Sequence, residues 1–355
     1  MTAHKPPIST RGRPRMFLNL ILSLASLAIV ILLVETGLRL LSMAPPFTLG
    51  WVGQYHTRPS ENFIVDEQTG WRLRPNHEFT WLKEGRITHY RSNSQGFRSP
   101  EDFHPASETR KKIVFAGDSY TFGAGVEYEE TFGALVQAHA PNRVAYNLGM
   151  PGFGVDQVWL SVRDQGLPMK PDLIVVGLVD ADLERSLMPH RPAEGFDKPS
   201  FKLSHGRLLL RTREQPPKFF YRFVEEHSRG LSLVRRAMRR IARNVGVGEY
   251  WTLNEAILDE LQADARRAGV PVLFIYMPIG TFQPFPTIGR YMRRTGANFI
   301  DLTELKPRPP HSIYLPVDGH FSVEGHCLVA DLIERWMHGH MADSTGSTQS
   351  LGQKY

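Results

Sequence analysis

The chain has 355 residues, enough for one large or two ordinary domains with a sizeable core, and its composition is that of a globular protein. The formal net charge of +6 first suggests nucleic acid, but no nucleic-acid motif accompanies it, and no nucleic acid is expected as a partner. A single cysteine, Cys327, excludes an internal disulfide and leaves the redox compartment open.

Residues 1–15 hold Lys5, Arg11, Arg13 and Arg15 and no acid. Met16 to Val34 is then a charge-free apolar run of 19 residues, which as a helix reaches about 28 Å, close to the thickness of a hydrocarbon core. The expectation is an uncleaved signal anchor over 16–43, N-terminus in the cytoplasm and the remainder outside. The competing reading is a cleaved signal peptide, with Ser42-Met43-Ala44 as its cleavage site. Glu35 and Arg39, four apart, suit an interfacial pair at the helix end.

Residues 44–110 read as a Pro/Gly-punctuated connector followed by a small antiparallel β element. Its apolar pieces fall at 62–66, 69–73, 79–82 and 86–90, and they read as packing rather than chemistry. From Lys111 the texture changes to alternating strands and helices. Strands are predicted at 112–116, 143–148, 172–178, 270–277 and 298–302, and helices at 131–140, 154–167, 250–268, 284–295 and 322–338. Val- and Ile-rich strands alternating with helices imply one doubly wound parallel sheet covered on both faces.

An insertion at about 183–249 interrupts this order within the domain expected over 111–338. Leu231, Val234, Met238 and Ile241 fall at helical spacing, with Arg235, Arg236, Arg239, Arg240 and Arg243 on the remaining face. This reads either as a surface helix docked by its apolar stripe or as a contact with anionic lipid headgroups. The tail 339–355 reads as disordered.

Four stretches carry candidate chemistry. Ile113 to Ala116 form a buried strand running into Gly117-Asp118-Ser119, which places the serine at the carboxyl end of a central strand, where open α/β sheets bind ligands. After the second strand, Gly149, Gly152 and Gly154 let backbone N–H groups approach a ligand. After the third, Asp180 and Asp182 either line a site or form a solvated loop. Asp318 and His320 precede the last helix; in extended chain they lie about 6–7 Å apart on one face, and a turn shortens that. Such a carboxylate can orient an imidazole and stabilise its charged form. No metal-ligand spacing and no Walker-type loop is present, so neither metal nor cofactor is expected.

Together, Gly117-Asp118-Ser119 through Gly123, Asn147 through Gly154, and Asp318-Gly319-His320 with Ser322, Gly325 and His326 resemble the SGNH/GDSL hydrolase family. The lead-in Gly70-Trp71, Pro75-Asn76 and Gly96-Phe97-Arg98 is similar to that of bacterial membrane-anchored members. The resemblance covers roughly 62–338. It implies a flavodoxin-like three-layer α/β/α fold around a five-stranded parallel sheet, preceded by the transmembrane helix and the small β element. It also implies a place at the bacterial cytoplasmic membrane, with the catalytic domain outside.

By the same resemblance, Ser119 would be the nucleophile, His320 the general base, and Asp318 the group orienting it. Backbone N–H groups of Ser119 and Gly152 would form part of the oxyanion hole, and Asp118, Asp180 and Asp182 would flank it. Two features depart from the family. An asparagine that donates to the oxyanion is absent from Val179 to Leu183, and an ionised Asp cannot replace it. The usual Asp-x-x-His is Asp318-x-His320, with Val317 in the acidic place, a spacing found in relatives that modify polysaccharides. The expected function is a membrane-anchored serine esterase acting on an acyl ester. The alternatives are an O-acyltransferase or deacetylase of a surface or exported polysaccharide, with an O-acylated glycan as substrate, and a non-catalytic binding domain.

Overall fold

The structure is a computed structural model and describes residues 13–40, 59–191, 195–210, 249–278, 286–305 and 311–341. The chain divides into two compact units, one holding α1 (Arg13–Leu40) and the other every further described element. α1 is 28 residues long and exposes its large apolar side chains from Ile21 to Val34. Among the described residues no helix is long and apolar enough to cross a membrane. The membrane span expected over 16–43 is therefore not supported among the described residues. Arg235, Arg236, Arg239, Arg240 and Arg243, and the tail beyond 341, lie outside the described residues.

The second unit opens with α2 (Pro59–Asn62) and two antiparallel hairpins. β1 (Phe63–Asp66) pairs with β2 (Gly70–Leu73), and β3 (Glu78–Lys83) pairs with β4 (Arg86–Arg91). Strand periodicity of two puts Phe79, Trp81 and Lys83 on one buried face of β3. Phe79 and Trp81 stack around Tyr90, whose ring lies 5.5 Å from that of Phe122 in the sheet domain.

The alternating region follows as β5 (Lys111–Ala116), α3 (Ser119–Phe122), α4 (Phe132–Ala138), β6 (Arg143–Asn147), α5 (Val155–Ser161), β7 (Leu173–Leu178) and α6 (Asp180–Arg185). Within the insertion, β8 (His190–Arg191) pairs with β9 (Phe196–Asp197), and β10 (Phe201–Ser204) with β11 (Arg207–Leu210). The chain closes with α7 (Glu249–Ala268), β12 (Val272–Tyr276), α8 (Pro286–Thr295), β13 (Asn298–Asp301) and α9 (Val323–His340). α9 runs two residues past its predicted end. The helix expected over 154–167 is present but changes pitch: after α5 the backbone stays helical and widens into a π turn from Val162 to Gly166, where a Cβ would come within 3.2 Å of Val114.

The five strands form one parallel sheet in the order β13-β12-β7-β5-β6. Counted by their place in the sequence this is 2-1-3-4-5, the flavodoxin-like order, whose crevice opens between the first and third strands. Alternate residues feed two cores. Val114, Ile174, Val176 and Phe274 face α5, α7 and α8, and the hairpins β1–β4 join that same core. Ile113, Phe115, Val175 and Ile275 face α4 and α9. β7 is buried along its whole length, as a strand covered on both faces must be. Ser119 follows β5, which puts it at the switch point.

Candidate active site

Ser119 is the first residue of α3, and that one-turn helix is held at both ends. Asp118 caps it by accepting the N–H of Tyr120 at 2.9 Å, and Gly123 ends it at φ 85°, a conformation suited to glycine. Gly117 is required for a different reason: a Cβ there would lie 2.1 Å from Thr121 Oγ1 and 2.9 Å from the Gly177 carbonyl. The helix therefore sits against the ends of β5 and β7, with Ser119 buried in the crevice.

His320 reaches it from the loop before α9. Its Nε2 lies 2.8 Å from Ser119 Oγ, and its Nδ1 lies 2.5 Å from Asp318 Oδ2. With Nδ1–H donated to Asp318, Nε2 is left to accept the serine hydroxyl, the arrangement that activates a hydroxyl through a neutral imidazole. The loop is tight. Leu315 donates to the His320 carbonyl, Gly319 (φ 76°) donates to the Leu315 carbonyl, and Tyr120 OH donates to the Gly319 carbonyl at 2.5 Å. The turn thus closes the two-residue Asp-x-His spacing to bonding distance.

Lys83 is a third partner that sequence reasoning missed. Its Nζ donates to Asp318 Oδ2 at 2.7 Å and lies 3.3 Å from His320 Nδ1, with the lysine side chain only 3% exposed. The next residue, Glu84, accepts the backbone N–H groups of Val317 and Asp318 at 2.7 and 2.6 Å. The signal for Lys83 lay in the alternation of β3: a lysine two residues beyond Trp81 shares that tryptophan's buried face.

The electrostatics follow from this crowding. Burial lowers the basicity of His320, the Lys83 charge lowers it further, and the Asp318 carboxylate opposes both. Burial alone would raise the Asp318 carboxyl, but its hydrogen bond and charge interaction with His320, together with the Lys83 charge, hold it well below the usual carboxylate range. Burial draws the Lys83 ammonium below the ordinary lysine value, against the pull of Asp318.

The remaining expected site residues are placed as follows. Gly152 has φ 83°, in a turn anchored by Met150 N–H on the Gly117 carbonyl and by Trp71 Nε1 on the Pro151 carbonyl at 3.1 Å. Asp182 is fully buried; its Oδ2 accepts the N–H of Val179 and its Oδ1 takes one bond from Arg185. The same Arg185 Nη1 lies 2.8 Å from Asp118 Oδ2 and 3.1 Å from the Phe153 carbonyl. Burial and the neighbouring Asp118 charge push the Asp182 carboxyl well up, against Arg185. Asp180 accepts from Tyr276 OH at 2.5 Å. Asp182 is therefore not in a solvated loop, and Arg185 bridges it to Asp118. Ser119 Oγ is 3.3 Å from the Asp118 oxygen that Arg185 holds.

No protein-family model matches the chain, and no curated protein does. Among solved structures it is similar to GDSL-type lipases and esterases. These include a GDSL-like lipase from Bacteroides thetaiotaomicron (12% identity, TM-score 0.38, covering 67% of this chain and 92% of that one). The psychrotrophic esterase EstA from Pseudoalteromonas sp. has 12% identity and a TM-score of 0.39, covering 64% and 99%. The acetyl xylan esterase AlAXEase has 14% identity and a TM-score of 0.39, covering 63% and 98%. At such scores the likeness carries no function across, and the chemistry has to come from this chain's own side chains.

Proposed function

We propose that this chain is a serine acylhydrolase of the SGNH type, with Ser119 as nucleophile, His320 as general base and Asp318 as its orienting carboxylate. The observation that carries the reading is the unbroken chain from Ser119 Oγ to His320 (2.8 Å) and from His320 to Asp318 (2.5 Å) at the sheet's switch point. Ser119 Oγ attacks the acyl carbonyl as its proton passes to His320 Nε2. The imidazolium returns that proton to the departing alcohol, leaving the acyl group on Ser119. Water then repeats the sequence, giving its proton to His320 and releasing the acid.

Backbone N–H groups of Ser119 and Gly152 are assigned to the developing oxyanion. Each donor in such a hole is worth about 3–4 kcal/mol, so the lost asparagine is a real deficit beside relatives that keep it. The test is labelling of the full chain by a fluorophosphonate together with hydrolysis of a short-chain nitrophenyl ester. Ser119→Ala should lose both; equal behaviour of variant and wild type removes Ser119 from the role and leaves a binding domain.

A glycan hydroxyl in place of water would make the same acyl-enzyme a transferase. The Asp318-x-His320 spacing, which resembles that of polysaccharide-modifying relatives, supports this second reading. Faster ester consumption on adding glycan, with acylated glycan as product, separates it from hydrolysis. The membrane anchor rests on the sequence alone, on the charge-free run Met16 to Val34 behind four basic residues. Alkaline carbonate extraction tests it: an anchored chain stays with the membranes, and release into the supernatant removes the anchor.

A further inference from the structure

The hairpin β3–β4 lies outside the α/β alternation, yet it grips the Asp318–His320 loop in two chemically different ways. Glu84 takes two successive backbone N–H groups, and Lys83 inserts an ammonium beside the carboxylate. A buried lysine is costly to desolvate, and a hairpin needing only an apolar anchor would place a Leu or Met there. The face is otherwise apolar, with the ammonium 6.0 Å from the Trp81 ring centroid and the Lys83 stem against Gly125.

We propose that Lys83 is a positioning residue of this site: its ammonium fixes the Asp318 carboxylate against His320 and keeps the imidazole unprotonated into acidic solution. The proposal deepens the serine-hydrolase reading and rests on it for its catalytic consequence, though not for the physical effect itself. The balance of charges around the ring decides the sign. On its own loop His320 faces Asp318. From the turn after β5 it meets Asp118 and the ring of Tyr120 at 5.0 Å, from β3 Lys83, and from α9 the buried His326. Lys83 itself faces Asp318, Glu84 and His320.

Asp318 and Asp118 favour the imidazolium, and Lys83 opposes it at the shortest cationic range. Removing a positive charge so close should raise the His320 midpoint by about one pH unit or more. It also frees the full Asp318 charge for the ring, which acts in the same direction.

The experiment is a histidine NMR titration of the full chain, isotope-labelled at histidine, with the His320 signal assigned by its loss in His320→Gln. In the wild type His320 should titrate below the ordinary ~6.5. Lys83→Met should move it up by about one unit or more. Lys83→Gln keeps a donor to Asp318 and loses the charge, so it should move the midpoint likewise; it serves if the Met variant does not fold. A wild-type midpoint at or above ~6.5, or a folded variant whose midpoint is unmoved, overturns the proposal.

Fluorophosphonate labelling across pH reads the consequence. The deficit of the Lys83 variants relative to wild type should be about three- to tenfold greater at pH 5 than at pH 8.5, because the acid limb moves with the His320 midpoint. A merely structural role would slow labelling equally at every pH. If the wild type labels at no pH, the hydrolase reading fails, while the titration still decides the part played by Lys83.

Discussion

The carboxyl edge of the parallel sheet and the lead-in strands β1–β4 meet at the same loops, and they hold them by different means. The sheet side works by close packing: Gly117 and Gly149 let α3 touch the strand ends and the turn after β6, leaving no room for a Cβ. The lead-in side works by single polar anchors set in an apolar bed. Arg98 donates to the carbonyls of Phe122, Gly123 and Val126, Trp71 to that of Pro151, and Lys83 to Asp318. Each anchor ends on a different loop of the site. A segment that looks like a cap is thus a clamp, and removing one anchor should release one loop.

The largest expected effect tests the clamp. Arg98 is fully buried over the Tyr90 and Phe122 rings, and Arg98→Met removes three buried hydrogen bonds, to the carbonyls of Phe122, Gly123 and Val126. The expected loss is about 3–5 kcal/mol in urea unfolding. A loss under about 0.5 kcal/mol would reduce the lead-in to surface packing. Gly117→Ala tests the sheet side. The added methyl meets Thr121 and the Gly177 backbone, and relief should cost about 1–3 kcal/mol and slow fluorophosphonate labelling through the displaced Ser119.

A third effect depends on pH. His326 on α9 accepts the N–H of Phe132 at 3.2 Å, and burial with the nearby Arg98 and His320 charges pushes its pKa down to about 3. Its folded-state value lies below the unfolded ~6.5, so its contribution is complete above pH 6.5 and is lost as pH falls towards 3. Over that window stability should fall by about 1.4 kcal/mol per pH unit from this residue. His326→Gln should flatten the slope by that amount in unfolding curves at pH 6, 5 and 4; an unchanged slope would mean the ring is charged in the fold. The smallest effect concerns Val317, which holds the place that the sequence resemblance would give to an acid and is 80% exposed. Val317→Asp should change stability by no more than about 0.5 kcal/mol, and labelling by no more than about twofold. A larger gain would show that the missing acid matters.

Legibility followed the same division. The strands β5, β6, β7, β12 and β13 and the turn at Ser119 could be read because buried parallel strands are continuous apolar runs ending at Gly and Asp, a local signal. The short antiparallel pairs β8–β11 of the insertion carry no such run and could not be read. The Asp318–His320 pair could be read from spacing and chain order. Lys83 could not be reached in the same way, since the contact spans more than 200 residues and nothing in a hairpin sequence names its distant partner. Its one trace, a lysine on the buried parity of β3, needed the register to be known. Asp182 and Arg185 were obscured for another reason: an acid after a strand looks solvated until the helix it caps and the arginine one turn on are in place. The anchor over 16–43 was drawn from composition, and α1 as described does not extend that argument.

The central claim is that Ser119 is the nucleophile of a site completed across both regions. Intact-mass measurement of the full chain after fluorophosphonate treatment, followed by peptide mapping, tests it most directly. The account predicts one phosphonyl adduct, carried by Ser119, which disappears in Ser119→Ala and in His320→Gln. An unmodified wild type, or an adduct on any other residue that survives both substitutions, would contradict it.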